Sequence, residues 1–254
     1  MSDIVSQRKL SVHKEHELLG RLEAAGLADP EAQMVIESKG NELAQRVVAF
    51  IRRGGHDAST DQKLARAIMG SAAIFPEDVT ELMKVRFSAN QLTQLESIPF
   101  TEATLREVRD THVLIAGYPL SILDIGKKVP HLFYARGGGW YANEAFARKK
   151  VRLAWHLVRR DVVPGSTSKT FQEQTALLGS NDFVPRASEM TYAAILGLMA
   201  TGKRIPENVY GRCEDIDSYG YRVYVGFDSG GFSVSSYGDD GRFSHIGLAA
   251  ARKS

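Results

Sequence analysis

Tyr221-Arg-Val-Tyr-Val-Gly-Phe-Asp228 and Phe232-Ser-Val-Ser235 decide the fold class. In the first stretch Tyr221, Val223 and Val225 share one phase and Arg222 and Tyr224 the other. In the second, Phe232 and Val234 alternate with Ser233 and Ser235. A period of two is that of a strand with one face in a core. Residues 244–251 (S-H-I-G-L-A-A-A) read as a small-residue closing strand. Further upstream, residues 111–116 (T-H-V-L-I-A), closed by Gly117 and Pro119, and residues 151–158 read as two more strands. Between these groups lie two helices. Thr170-Phe-Gln-Glu173 has capping-box spacing and opens a short helix to Leu178. Residues 185–200 form a longer one, with Met190, Ala194 and Leu198, or Ala193, Gly197 and Ala200, on its buried side and Gly202 as its stop. The order predicts an α+β domain over residues 111–254, with a small twisted antiparallel sheet and two helices.

Residues 1–110 read differently. Asp29-Pro30-Glu31 and Pro76-Glu77-Asp78 place a fixed φ and acids at helix starts, and Ser59 with Gln62 and Ser88 with Gln91 repeat the capping-box spacing. Leu43, Val47, Phe50 and Ile51 form one apolar stripe, ended by Gly54-Gly55. A helical region over 1–110 is expected, with a boundary near 108–118 and a role in scaffolding or oligomerisation.

Composition narrows the function classes. The 254 residues carry 32 basic and 30 acidic side chains, a net charge of +2, which is too balanced for a general polyanion binder. One cysteine, Cys213, excludes an intrachain disulfide and a cysteine-based zinc site. No apolar run is long enough to span a membrane and no secretory apolar block opens the chain, so a cytoplasmic protein is the default expectation, with non-classical export left open.

Several motifs fail on their chemistry. Phe227-Asp-Ser-Gly-Gly231 is similar to the nucleophile segment of trypsin-like proteases, but no histidine sits in a partner motif. Gly165-Ser-Thr-Ser-Lys-Thr170 lacks both glycines of a phosphate-binding loop, whose positions hold Val163 and Ser168. Asp215-Ile-Asp217 starts like a calcium loop, yet its twelfth position is Gly226, where a bidentate glutamate is required. A calcium site built from Asp215, Asp217, Asp228, Asp239 and Asp240 ranks below solvated turn aspartates. The basic cluster of Arg148, Lys149, Lys150, Arg152, Arg159 and Arg160 reads as a solvated loop and strand edge before it reads as a nucleic-acid contact.

Residues 211–245 hold 7 Gly, 6 Ser, 5 Asp and 4 Tyr, which is 22 of 35, and no lysine. Tyrosine supplies rigid contact area with a polar tip, and serine and glycine adapt around it, the mixture antibody loops use. Val209, Val223, Val225, Phe232, Val234, Ile246 and Leu248 remain as an apolar frame between them.

The last ~120 residues hold an ordered set of motifs, Val158-Arg159, then Val163-Pro-Gly-Ser-Thr-Ser-Lys-Thr-Phe-Gln-Glu-Gln174 and Thr201-Gly-Lys-Arg-Ile-Pro-Glu-Asn-Val-Tyr210. The set continues through Arg212-Cys213, Asp217-Ser218, Arg222-Val-Tyr-Val-Gly226 and Phe227-Asp-Ser229 to Ile246-Gly-Leu-Ala-Ala-Ala-Arg-Lys253, an ending similar to that of bacterial proteins without an assigned function. On these motifs the region resembles the C-type-lectin-fold variable proteins of diversity-generating retroelements, in the branch near formylglycine-generating enzymes. The resemblance implies ligand binding without catalysis, on a fixed frame with variable surface positions. Those positions are Tyr219, Tyr221, Tyr224, Ser233, Ser235, Ser236, Tyr237, Phe243, Ser244 and His245. The oxidase chemistry of that branch normally uses a cysteine pair, which this chain lacks.

The expectation is therefore a non-enzymatic recognition protein with no cofactor and no metal, binding a protein or surface ligand, with oligomerisation through the N-terminal helices as a further option. The alternatives are an assembly protein or an enzyme with a site among Asp215, Asp217, Asp228 and His245. Residues 213–245 carry six acids against two arginines, Arg222 and Arg242, which speaks against a phosphate backbone as the partner. One core is expected from Trp155, Phe171, Leu177, Ile195, Leu198, Val223, Val225, Val234 and Ile246.

Overall fold

A computed structural model describes residues 10–136, 138–207 and 209–254. The chain divides into two compact units, residues 1–49 and 50–254. In the first, Ser11 caps α1 (Val12–Ala24), accepting from the Lys14 amide at 3.4 Å. Then come α2 (Asp29–Ile36), where Glu31 accepts from the Ala28 amide, and α3 (Glu42–Arg52), inside which the division falls. None of these three helices has a buried residue, and the stripe of Val47, Phe50 and Ile51 is exposed.

The second unit begins with α4 (Thr60–Met69), β1 (Ala73–Ile74), α5 (Pro76–Met83), α6 (Ala89–Gln94) and α7 (Glu102–Val108). Ser59 and Ser88 close the predicted capping boxes with Gln62 and Gln91. β2 (His112–Ala116), α8 (Ile122–Lys128), α9 (Ala145–Arg148), β3 (Trp155–Arg159), α10 (Phe171–Thr175) and β4 (Asp182–Phe183) follow. The chain continues through α11 (Ala187–Thr201), β5 (Tyr210–Ile216), β6 (Arg222–Asp228), β7 (Gly231–Tyr237), β8 (Ile246–Leu248) and β9 (Ala251–Arg252). The protein is α+β, as expected.

The finer expectations need three corrections. First, no boundary falls near 108–118. β1 pairs in parallel with β2, and Ala65, Phe75, Leu92 and Val108 share one core with Ile195 and Val223. The physical cause is Trp155, which stacks edge-on against Phe75 at 5.4 Å and donates its Nε1–H to the Leu95 carbonyl at 2.9 Å. Second, there are two mixed sheets instead of one antiparallel sheet. Their orders are β1-β2-β3-β9-β4 and β7-β6-β5-β8, with β5 and β8 parallel. Third, among the described residues of 111–254 the two expected helices become four α-helices, with two short 3-10 turns besides. Ser121 caps α8 through a box with Asp124, and a single turn, α9, follows.

α11 contacts β1, β2 and β3 of the first sheet and β5 and β6 of the second. It is buried on all sides from Ala187 to Gly197 and is mostly apolar there, and its buried polar groups are partnered where Glu189 pairs with Arg152 and Thr191 donates to the Ala187 carbonyl. A Cβ at Gly197 would overlap Ile205, so that glycine sets how closely the following chain returns. The expected core holds for Trp155, Ile195, Val223, Val225 and Val234, while Leu198 packs at its margin and Ile246 is buried outside it. Phe171 is only partly buried and belongs to a second small cluster with Val163, Leu248 and Ala250. Leu177 is 43% exposed, because α10 stops at Thr175.

On β2, His112 is buried with Arg159, Arg252 and Arg160 around it. Burial first, and then these three cations, lower its pKa to about 4. Among the described residues no helix is long and apolar enough to cross a membrane.

Candidate functional site

The β7-β6-β5-β8 sheet buries Val223, Val225, Phe232 and Val234 in the main core; on its other face α10 and the segment around it cover the β5–β8 side, where Arg212 and Leu248 are buried, and the β6–β7 side stays partly exposed. Register decides what stands there. Arg212 lies opposite Tyr224, Tyr224 opposite Ser235, Gly226 opposite Ser233, and Arg222 opposite Tyr237. Directly paired residues point to the same face, so these side chains form one surface.

Five rings run across it in contact. Tyr224 meets Tyr210 at 5.4 Å, Tyr210 meets His245 at 6.1 Å, His245 meets Phe243 at 5.6 Å, and Phe243 meets Tyr237 at 4.7 Å. Three of these contacts are edge-on and the His245–Phe243 contact is tilted, and such contacts hold rings in place beyond simple area burial. Gly226 makes the first contact feasible, since a Cβ there would come within 2.9 Å of the Tyr210 ring. Gly241 does the same for Tyr237 and Phe243. The loop carrying two of the rings is pinned by its backbone. The Phe243 carbonyl accepts from Ser168 N–H, and the His245 carbonyl from Tyr210 N–H, each at 2.8 Å.

Arg212 lies beneath this row and is wholly buried. It donates to the carbonyls of Gly241 (2.9 Å) and Gly238 (3.4 Å) and to Gln174 Oε1 (3.4 Å). Among the described residues it has no ion pair and its Nε–H has no partner. Burial lowers its pKa, opposed chiefly by Asp239. Arg222 grips Asp239 through Nε and Nη2 at 3.0 and 2.9 Å and stacks on Phe171 at 3.9 Å. The Tyr210 hydroxyl reaches Asp228 at 3.5 Å. Burial, then Asp228 and Tyr224, raise its pKa.

The ten expected display positions separate into groups. Tyr224, Tyr237, Phe243 and His245 join the row of rings, and Ser233 and Ser235 stand beside it on β7. Tyr219 and Tyr221 lie on the β5–β6 turn, 82% and 51% exposed, with no ring contact. Ser244 is exposed in the loop before β8. Ser236 is on the opposite phase, across from Val223, and donates to Asp217 Oδ2 at 2.6 Å. Asp217 also accepts from the amides of Tyr219 and Tyr221. Burial alone would raise the Asp217 pKa, but these hydrogen bonds outweigh it and lower it. Ser236 is thus a turn fastener, not a display residue. Tyr210, Arg212 and Arg222 belong to the site but were not among the expected positions. The signal available for Tyr210 was its two-residue spacing from Arg212 at the start of a strand.

The remaining candidates disperse. Asp215 is bound by Lys149 Nζ at 2.7 Å and by the Ala187 amide at 2.8 Å, Asp239 by Arg222, and Asp217 by its turn. Among the described residues no group of three or more His, Cys, Asp or Glu is placed to hold a metal. Of the basic cluster, Arg152 pairs with Glu189 at 2.8 Å, and Arg160 donates to the His112 carbonyl at 3.1 Å. Cys213 is buried, which raises its thiol pKa and keeps it inert. Thr170 caps α10 and Ser229 is exposed at the β6–β7 turn, as plain turn and cap chemistry requires. No family model matches the chain, and no match was found among curated proteins or solved structures.

Proposed function

We propose that the protein is a non-enzymatic recognition protein, whose C-terminal half, on the core it shares with α4 to α7, carries a C-type-lectin-like ligand-binding surface and whose partly exposed β6–β7 face is a retroelement-diversified display. The observation that carries the reading is the row of five touching rings on a face whose reverse is core. Side chains on such a face change without disturbing the apolar positions behind them, and rigid aromatic anchors dominate binding energy at interfaces. The loop backbone is held independently of the ring identities, by Ser168, Tyr210 and Arg212, which supports the same reading.

Two experiments test it. Selection of displayed random peptides on the immobilised chain should yield binders that fail on a Tyr224→Ala/Ser235→Ala/Tyr237→Ala variant. Binders indifferent to those changes would remove the face from recognition. Sequencing beside the gene should find a reverse transcriptase and a near-repeat of the 3′ end differing at adenines, and their absence would remove diversification.

A second reading, assembly through the N-terminal helices, is favoured by one observation. Leu18, Leu19, Leu22, Met34, Ile36 and Ile51 are among the exposed large apolar side chains of α1 to α3.

A further inference from the structure

One carboxylate, Asp228, stands beside the ring row at Tyr210, and a second, Asp240, precedes the glycine that packs on Tyr237 and Phe243. Asp228 sits by the Tyr210 hydroxyl at 3.5 Å, oriented by the Gly230 amide at 2.7 Å. Asp240 is exposed in the turn closed by Gly241 N–H on the Gly238 carbonyl, and Gly241 lies against Tyr237 and Phe243. Neither aspartate forms an ion pair among the described residues.

The arginines nearby are already engaged. Arg212 is buried, Arg222 is paired with Asp239, and Arg242 is paired with Glu173 at 2.7 Å. In the neighbouring loop Lys169 forms no ion pair among the described residues, one cation against two carboxylates. Aromatic rings attract cations through their quadrupole, and unpaired carboxylates at a partly dry surface add to that attraction.

We infer that the ligand of this face is a lysine- or arginine-bearing segment of a partner protein, with basic side chains reaching Asp228 and Asp240 across the rings; this rests on the recognition reading above. The chain as a whole carries +2, so general attraction does not draw a basic peptide to it. Selectivity for cations has to come from this face.

The test measures the anisotropy of labelled glycine–serine peptides that carry arginine, lysine, glutamine or glutamate at the same positions, titrated with the full chain at physiological salt. The arginine and lysine peptides should bind at least about tenfold more tightly than the other two. Both an Asp228→Asn/Asp240→Asn variant and a Tyr224→Ala/Tyr237→Ala variant should erase that preference, with melting curves showing that each is folded. The asparagine variant, which keeps side-chain shape, serves if the alanine variant does not fold. Failure of the basic peptides to bind, or a preference that survives in the variants, overturns the inference. If glutamine or glutamate peptides bind and the ring variant loses them, the cation inference falls while the recognition reading stands. If the ring variant alters the binding of no peptide, both fall.

Discussion

Arg212→Met asks what a buried, unpaired cation contributes. Burying a guanidinium costs several kcal/mol even after relaxation. Arg212 recovers part of this through one good hydrogen bond, to Gly241 at 2.9 Å, and two long ones of 3.4 Å. Hydrogen bonds to charged groups contribute about 1.5–3 kcal/mol each at good geometry and less when stretched, so the return is also several kcal/mol. The two nearly cancel. Methionine keeps the length and the packing, and the freed carbonyls of Gly238 and Gly241 lie in a surface loop where water takes over, so the residual cost, about 1 kcal/mol, is the stretched bond lost by the buried Gln174 Oε1. Arg212→Met should therefore change unfolding free energy by no more than about 1 kcal/mol, while Arg212→Ala, which leaves a void, costs about 2–4 kcal/mol. Urea unfolding at constant m-value measures both. Hydrogen exchange at the Gly241 amide should speed up in the methionine variant, because the arginine fastens that turn to β5. A methionine variant destabilised by more than about 3 kcal/mol would refute the cancellation and show that the guanidinium is a net support.

Val225→Asp puts an unpaired carboxylate into a wholly buried site and should abolish cooperative folding, read by near-UV circular dichroism and melting. The Tyr224→Ala/Ser235→Ala/Tyr237→Ala variant should remain folded but lose about 1–3 kcal/mol, since each of its two tyrosines gives up a ring contact; loss of the cooperative melt would make the rings part of the core. His112 has a folded pKa of about 4 against 6.5 for the ordinary group, so the unfolded chain takes up a proton first as pH falls. Stability is full above about pH 6.5, falls by up to about 3 kcal/mol on the way to pH 4 and levels off below, and His112→Gln should flatten this limb in pH-dependent urea unfolding. A fragment starting at Phe50 should fold and one starting at 111 should not, for want of Phe75 against Trp155. A cooperative melt from the shorter piece would reverse the boundary correction.

Local signals were legible in the sequence and long-range ones were not. The boxes of Ser59 with Gln62, Ser88 with Gln91 and Thr170 with Glu173 all form, because a cap is settled within four residues. The alternation of β6 and β7 was equally plain. The box at Ser121 and Asp124 was of the same kind and escaped notice. The shared core of α4 to α7 with the sheets was hidden, because nothing near Phe75 announces a partner eighty positions on. In the site, phase identified Tyr224, Ser233 and Ser235 as open. It did not disclose that Gly226 clears room for Tyr210, since that depends on which residues face each other across β5 and β6. Ser236 is hidden for the same reason: its neighbours in sequence, Ser235 and Tyr237, face away from the core, and its neighbour across the strand is Val223.

The outer edge of β7 is already occupied. Tyr134 N–H donates to the Phe232 carbonyl at 2.9 Å, and Trp140 Nε1–H to the Val234 carbonyl at 2.8 Å. A free strand edge accepts almost any extended chain, since backbone pairing reads no side chains. With two of its acceptors taken, β7 offers little of that indiscriminate affinity. On the recognition reading proposed above, a partner is then chosen by what stands on the face, and an exchange of a surface residue there changes which partner is held without a background of strand addition to mask it.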